Sequence, residues 1–153
     1  MVKDCDNSFK LNIENSTNNF VSYCKLDKLK VSDISSKSYL HLDKLGIITN
    51  IVEKKIISNM FCCGGYYFNN SDEFLKYSNT NLKSAFVSDI VYNMILNGKN
   101  FIGIESSDYQ DWGTLSEWQK YKNNFLTLFV DIDGVIVENS SVYLTPYIGT
   151  TKL

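Results

Sequence analysis

Arginine is absent from this chain: all 15 of its basic residues are lysine. Any phosphate must therefore be met by lysine, by backbone N–H groups or by a metal, because the bidentate guanidinium fork is missing. Histidine occurs once, as His41, and the four cysteines (Cys5, Cys24, Cys62 and Cys63) include no C-x-x-C pair. That scarcity argues against a zinc site. Cys62 and Cys63 are adjacent, which rules out an ordinary disulfide staple between them and reads as core packing. Proline occurs once, as Pro146. No apolar run approaches the roughly 18 residues of a membrane span. The opening Met1-Val-Lys-Asp-Cys-Asp6 has no apolar core of a signal peptide. The expected location is cytoplasmic, with reduced thiols, and no membrane partner is expected. A net charge of -2 argues against a general binder of nucleic acid.

What is present is ordinary for a globular protein. The chain has 153 residues, 44% of them apolar and 21% charged, which suffices for one sizeable core. The segment 1–11 is polar with one strand-like core, and 12–19 reads as a loop. A strand is expected over 20–26, and the polar stretch 28–37 reads as a short helix or loop. Strands at 38–42 and 47–52 flank Asp43-Lys-Leu-Gly46, which makes a hairpin with a four-residue turn. The run 61–68 reads as a strand broken by Gly64-Gly65, a place where glycine marks close approach of a ligand or backbone.

Helical signals follow. Residues 72–77 form a short helix with Ser71 as its N-cap. In 88–96, Ile90, Val91, Met94 and Ile95 share one face at helical spacing, and Asn97-Gly98 provides the stop. A strand over 101–104 precedes a helix over 115–121, where Thr114 and Glu117 have capping-box spacing. The last strand is expected over 125–130. Strands alternating with helices point to an α/β layered fold.

Three ordered stretches carry most of the chemistry. The first is Asp4-Cys-Asp-Asn-Ser-Phe9. The second is Gly46-Ile-Ile-Thr-Asn-Ile-Val-Glu-Lys54, followed by Gly64-Gly-Tyr-Tyr-Phe68. The third is Ser88-Asp89, then Tyr109-Gln-Asp-Trp-Gly-Thr114. Taken together they resemble the second half of a sugar-phosphate nucleotidyltransferase. Enzymes of that family join a sugar 1-phosphate to a nucleoside triphosphate and release pyrophosphate.

The resemblance implies a mixed-sheet α/β fold of the Rossmann-like, GT-A-like kind. It implies a Mg2+ cofactor held by Asp6, in the family's Gly-Asp-Asn-x-Phe pattern, and by Asp111, in its Asp-x-Gly-Thr pattern. Asp4 competes with Asp6 for the first place, and Cys5 stands where the family has glycine. Glu53, Lys54 and Gly64 would line the sugar site, with Lys55 replacing the usual proline. The implied partners are a sugar 1-phosphate and a nucleoside triphosphate. Magnesium takes oxygen ligands and keeps several waters, so two carboxylates from separate strand ends suit it.

A fourth stretch, Phe129-Val-Asp-Ile-Asp-Gly-Val-Ile136, follows the apolar run 125–130. It resembles motif I of the haloacid dehalogenase-like (HAD-like) phosphatases. That resemblance implies Asp131 as nucleophile and Asp133 as general acid/base; the plain alternative is a solvated strand-end turn. An EF-hand does not suit it, because a strand precedes and Ile136 and Val137 follow.

The expected organisation is a partial nucleotidyltransferase domain over 1–123 and the start of a HAD-like domain over 124–153. The family's Gly-rich loop and the later phosphatase motifs have no counterpart in this sequence. The expectation is thus a piece of a nucleotidyltransferase–phosphatase fusion of surface-polysaccharide synthesis, inactive alone. The alternatives are a non-catalytic sugar-phosphate-binding remnant, or the N-terminal part of a HAD-like phosphatase.

Overall fold

The computed structural model describes residues 1–13, 18–28, 33–79, 86–125 and 130, with the backbone of 137–138 and 151–152. The chain divides into two compact units, Met1–Gln119 and Lys120–Leu153. Among the described residues no helix is long and apolar enough to cross a membrane.

The first unit is built on a mixed sheet. In chain order its strands are β1 (Val2–Lys3), β2 (Asn7–Lys10), β3 (Phe20–Lys25), β4 (Tyr39–Leu42), β5 (Ile48–Val52), β6 (Met60–Tyr67), β7 (Ile102–Glu105) and β8 (Ser107–Asp111). The main sheet runs β5-β4-β6-β3-β7, with β1 paired to β6. β3 and β7 pair in parallel, which requires a long crossover between them. The other pairings in this sheet are antiparallel. A single bridge between Ile47 and Ile102 links the two edges. β2 and β8, far apart in sequence, pair as a separate antiparallel ribbon.

The central strand β6 shows why two cores form. Successive side chains of a strand point to opposite faces. Cys62 and Tyr66 join Val21, Leu40, Ile51, Val91 and Met94 on one side. Phe61 and Cys63 join Cys24, Tyr39 and Tyr109 on the other. The first side is covered by α2 (Val87–Leu96), which buries Ile90, Val91 and Met94. The second is covered by β8, whose Tyr109 ring meets Phe61 edge-on at 5.2 Å.

Several expectations need correction. β6 is not broken at Gly64-Gly65: it runs through both glycines, and its register against β3 shifts between Val21 and Tyr23. Ser22 stitches that bulge, accepting the Gly65 N–H at 3.0 Å and donating to the Gly65 carbonyl at 3.1 Å. The cap of α1 (Ser71–Ser78) is Asn70, not Ser71, because Asn70 Oδ1 accepts the N–H groups of both Asp72 and Glu73. The sequence reading assigns no element between 104 and 115, where β8 forms and closes on Asp111.

Helix α3 (Leu115–Lys122) starts as expected, with Thr114 Oγ1 accepting the Glu117 N–H at 3.2 Å. Phe125 does not open a strand. Its N–H returns to the Lys122 carbonyl at 3.1 Å, and its ring packs edge-on against Tyr121 at 4.9 Å. Residues 126–129, and with them the rest of that expected strand, lie outside the described residues. In the second unit the backbone forms an antiparallel pair of β9 (Val137–Glu138) and β10 (Thr151–Lys152).

Candidate functional site

A cavity of about 740 Å³ opens where the main sheet and the β2–β8 ribbon end together. Its wall carries six carboxylates, those of Asp4, Asp6, Asp33, Glu53, Asp111 and Glu117, and three lysines, Lys3, Lys37 and Lys54. Acidic groups outnumber basic ones, so the cavity attracts cations, and anions enter against that field unless a cation accompanies them.

Pairing of strands far apart in sequence builds the acidic end. β2 and β8 set Asn7 opposite Asp111, and the Trp112 N–H donates to the Asp6 carbonyl at 2.8 Å. Asp6 and Asp111 are thereby brought together. The position of a Cβ on Gly113 would lie 2.9 Å from Asp6 Oδ2 and 3.2 Å from Asp111 Oδ1. Only a residue without a side chain leaves that point open. β1 sets Asp4 beside β6, where the Asp4 N–H donates to the Gly64 carbonyl at 2.8 Å. Lys3 ties this loop, its ammonium donating to the carbonyls of Asp4 and Asn7, each at 2.7 Å.

The sugar-site residues of the sequence reading lie on the same wall, with one exception. Glu53, at the end of β5, has Oε2 held by the hydroxyls of Ser38 and Ser88. Lys54 lies over the Phe86 ring, 4.4 Å from its centroid. It takes a left-handed backbone, φ 53°, while its N–H donates to the Lys37 carbonyl at 3.1 Å. Gly64 is not on the cavity wall: it lies behind Asp4, packed against that carboxyl. Asp131 and Asp133 lie outside the described residues.

Sequence reasoning missed Lys37 and Ser38, and quoted Tyr109 without giving it a role. Lys37 pairs with Asp111 Oδ2 and donates to Tyr109 Oη at 3.2 Å. No local pattern marks it, because its partner Asp111 is 74 residues away. Cys62 also lines the cavity, but burial pushes its thiol up to about 12. It stays protonated at neutral pH and is no nucleophile. Burial, and then the Asp111 charge, likewise raise Tyr109, so its hydroxyl keeps its proton.

Asp4 gives a testable electrostatic consequence. Its carboxyl, packed against Gly64, is raised above the ordinary 3.8 first by burial and then by the Asp6 charge. A raised carboxyl favours the folded state in its protonated form. That contribution is present below the ordinary value and is lost as the pH rises through the raised one. Asp4→Asn, which cannot ionise, should therefore melt above the wild type at pH 7. The gap should close as the pH falls toward 3.8. Thermal melts at several pH values check this; a gap that widens in acid would contradict the assignment.

Among the described residues, no three or more His, Cys, Asp and Glu side chains gather closely enough to hold a metal ion. Two converging carboxylates are nevertheless a donor set that suits magnesium, which usually takes one or two carboxylates plus substrate phosphates and waters.

No protein-family model and no curated protein matches this chain. Among solved structures it is similar to the nucleoside-diphosphate-sugar pyrophosphorylase from Vibrio cholerae RC9, with a TM-score of 0.57 and 13% identity. The match takes in 69% of this chain and 46% of that one, so the chain spans just under half the length of its structural neighbour. At that identity the likeness is one of fold: a mixed α/β sheet of the kind seen in a nucleotide-sugar pyrophosphorylase.

Proposed function

We propose that the cavity is the sugar-phosphate and magnesium site of a nucleotidyltransferase that makes nucleotide-sugars from a sugar 1-phosphate and a nucleoside triphosphate. The observation that carries this reading is the meeting of Asp6 and Asp111 at Gly113, on the wall that also holds Glu53 and Lys54. The fold of the Vibrio cholerae pyrophosphorylase agrees with it.

Each residue has a role in binding. Glu53 has its Oε2 fixed by two hydroxyls, which orients Oε1 to accept hydrogen bonds from sugar hydroxyls. Lys54 supplies a positive charge for the sugar phosphate. Asp6 and Asp111 would hold the magnesium ion; when bound, it offsets charge on the phosphate oxygens. The protein's part is positioning: Glu53 and Lys54 would hold the sugar phosphate on the wall that also carries the two aspartates.

Isothermal titration of the full chain with glucose 1-phosphate, with and without magnesium, tests the reading. Binding should require magnesium. Glu53→Gln should weaken it by about tenfold, the scale of losing one charge-assisted hydrogen bond. Equal binding by wild type and Glu53→Gln would overturn the sugar assignment. Binding indifferent to magnesium would overturn the metal assignment.

A further inference from the structure

Asp111 has both carboxylate oxygens engaged. Oδ1 accepts the Gly113 N–H at 3.0 Å, and Oδ2 holds the Lys37 ammonium. The two side chains are each only 17% exposed, so water screens the pair weakly. An ammonium thus already sits on the carboxylate that the proposed function gives to magnesium. A second cation arriving at Asp111 meets the repulsion of the first.

The rest of Lys37 is tied to the sugar-side residues of the same wall. Its carbonyl accepts the Lys54 N–H at 3.1 Å. The next residue, Ser38, holds Glu53 through its hydroxyl. One short segment therefore joins the sugar-side residues to the acidic pair. An anion held by Lys54 would lie beside the segment that carries Lys37 and would offer its ammonium a new partner.

We infer that Lys37 is the resident counter-ion of the cation site, and that it leaves Asp111 for the ligand's phosphate when the ligand binds. This rests on the reading of the cavity given above. Its consequence is that divalent cation and sugar phosphate bind as a pair. The cation alone competes with Lys37, and the phosphate relieves that competition. The coupling is reciprocal: whatever factor the phosphate adds to cation affinity, the cation adds to phosphate affinity. Lys37 acts here as a binding residue that switches partners.

Manganese serves as the probe, since it takes the same carboxylate oxygens as magnesium and its free form is counted by electron paramagnetic resonance. The full-length chain is titrated with Mn2+, with and without excess glucose 1-phosphate. Wild type should bind Mn2+ weakly alone and more tightly with the sugar phosphate. Lys37→Met should bind Mn2+ alone about tenfold more tightly than wild type, the effect of removing one nearby positive charge at low exposure. Glucose 1-phosphate should then add little. Lys37→Arg, which keeps the charge, should stay near wild type. Circular dichroism confirms that each variant is folded, and Lys37→Gln carries the same expectation should Lys37→Met not fold.

Equal Mn2+ uptake by wild type and Lys37→Met would overturn the inference while leaving the cavity reading in place. No uptake by either chain, with or without glucose 1-phosphate, would remove the metal assignment and the inference together. Undiminished uptake by Asp111→Asn would place the ion elsewhere and overturn the inference as well.

Discussion

Phe61→Ala should cost the first unit about 3–5 kcal/mol, the usual range for emptying a fully buried phenylalanine site. Phe61 is 0% exposed and lies in the central strand β6. It packs with Cys24, Tyr39, Cys63 and Tyr109 on the face that β8 covers. Alanine removes the ring and leaves a space that strands on both sides cannot easily close. A domain of this size is stable by only about 5–15 kcal/mol, so the loss is a large fraction of the total. Urea unfolding should show a fall in midpoint with an unchanged slope. Phe86→Ala is the control: that ring is 42% exposed and its removal should cost under about 1 kcal/mol. Similar losses for the two variants would mean that the β8 face is not a core.

The same substitution reaches the site. Tyr109 rests on Phe61 edge-on, and its hydroxyl accepts from Lys37. Asp111 ends the strand that Tyr109 anchors. Loosening that ring removes the reference against which Lys37 and Asp111 are placed. On the proposed function, Phe61→Ala should therefore weaken glucose 1-phosphate binding even at temperatures where the variant remains folded.

Some of this architecture was legible in the sequence, and the reasons differ from element to element. β5 could be read because it is rich in β-branched residues, and β3 and β6 because they are rich in apolar and aromatic ones, over lengths that suit strands. Helix α2 was legible from Ile90, Val91 and Met94, which are buried on one face. β8 was not: of Ser107–Asp111 only Tyr109 is buried. A strand that buries one side chain carries no alternation to detect. β2 is its partner and hides for the same reason, since Asn7 is its buried residue. The cap of α1 was misplaced by one position because Asn70 and Ser71 are both good capping residues. The two bonds to Asn70 Oδ1 decide between them.

The candidate site divides in a similar way. Asp6, Glu53, Lys54 and Asp111 were picked out by short patterns, and the fold sets all four on one cavity wall. Their roles there remain proposals. Lys37 was illegible because nothing local distinguishes it from the other lysines of a polar segment. Its significance comes from a pairing that exists only once β4 and β8 are in place. Ser38 was similarly hidden, and Ser88 was visible only as part of a pattern, without its partner: both reach Glu53 across elements, 15 and 35 residues away in sequence.

Gly64→Ala should destabilise the first unit by about 2–4 kcal/mol, through two separable causes. The first is conformational. Gly64 has φ 78°, in the left-handed region, where a side chain is strained by about 1 kcal/mol or more. The second is contact. A Cβ at Gly64 would lie 2.1 Å from Asp4 Oδ2, 2.5 Å from its Cγ and 2.8 Å from its Cβ. Rotating the Asp4 carboxyl away does not relieve the last of these, and the Asp4 N–H is bonded to the Gly64 carbonyl. The backbone of β1 must therefore shift, which carries Asp4 away from the cavity. Gly46→Ala isolates the first cause, because Gly46 has φ 79° with nothing within 4 Å of its added Cβ. It should cost only about 1 kcal/mol. In an Asp4→Gly background the contact disappears, so the excess of Gly64→Ala over Gly46→Ala should vanish, a coupling that a double-mutant cycle measures directly. Equal costs for the two glycines in the wild-type background would show that Asp4 does not rest on Gly64, and the placement of Asp4 at the cavity would fall with it.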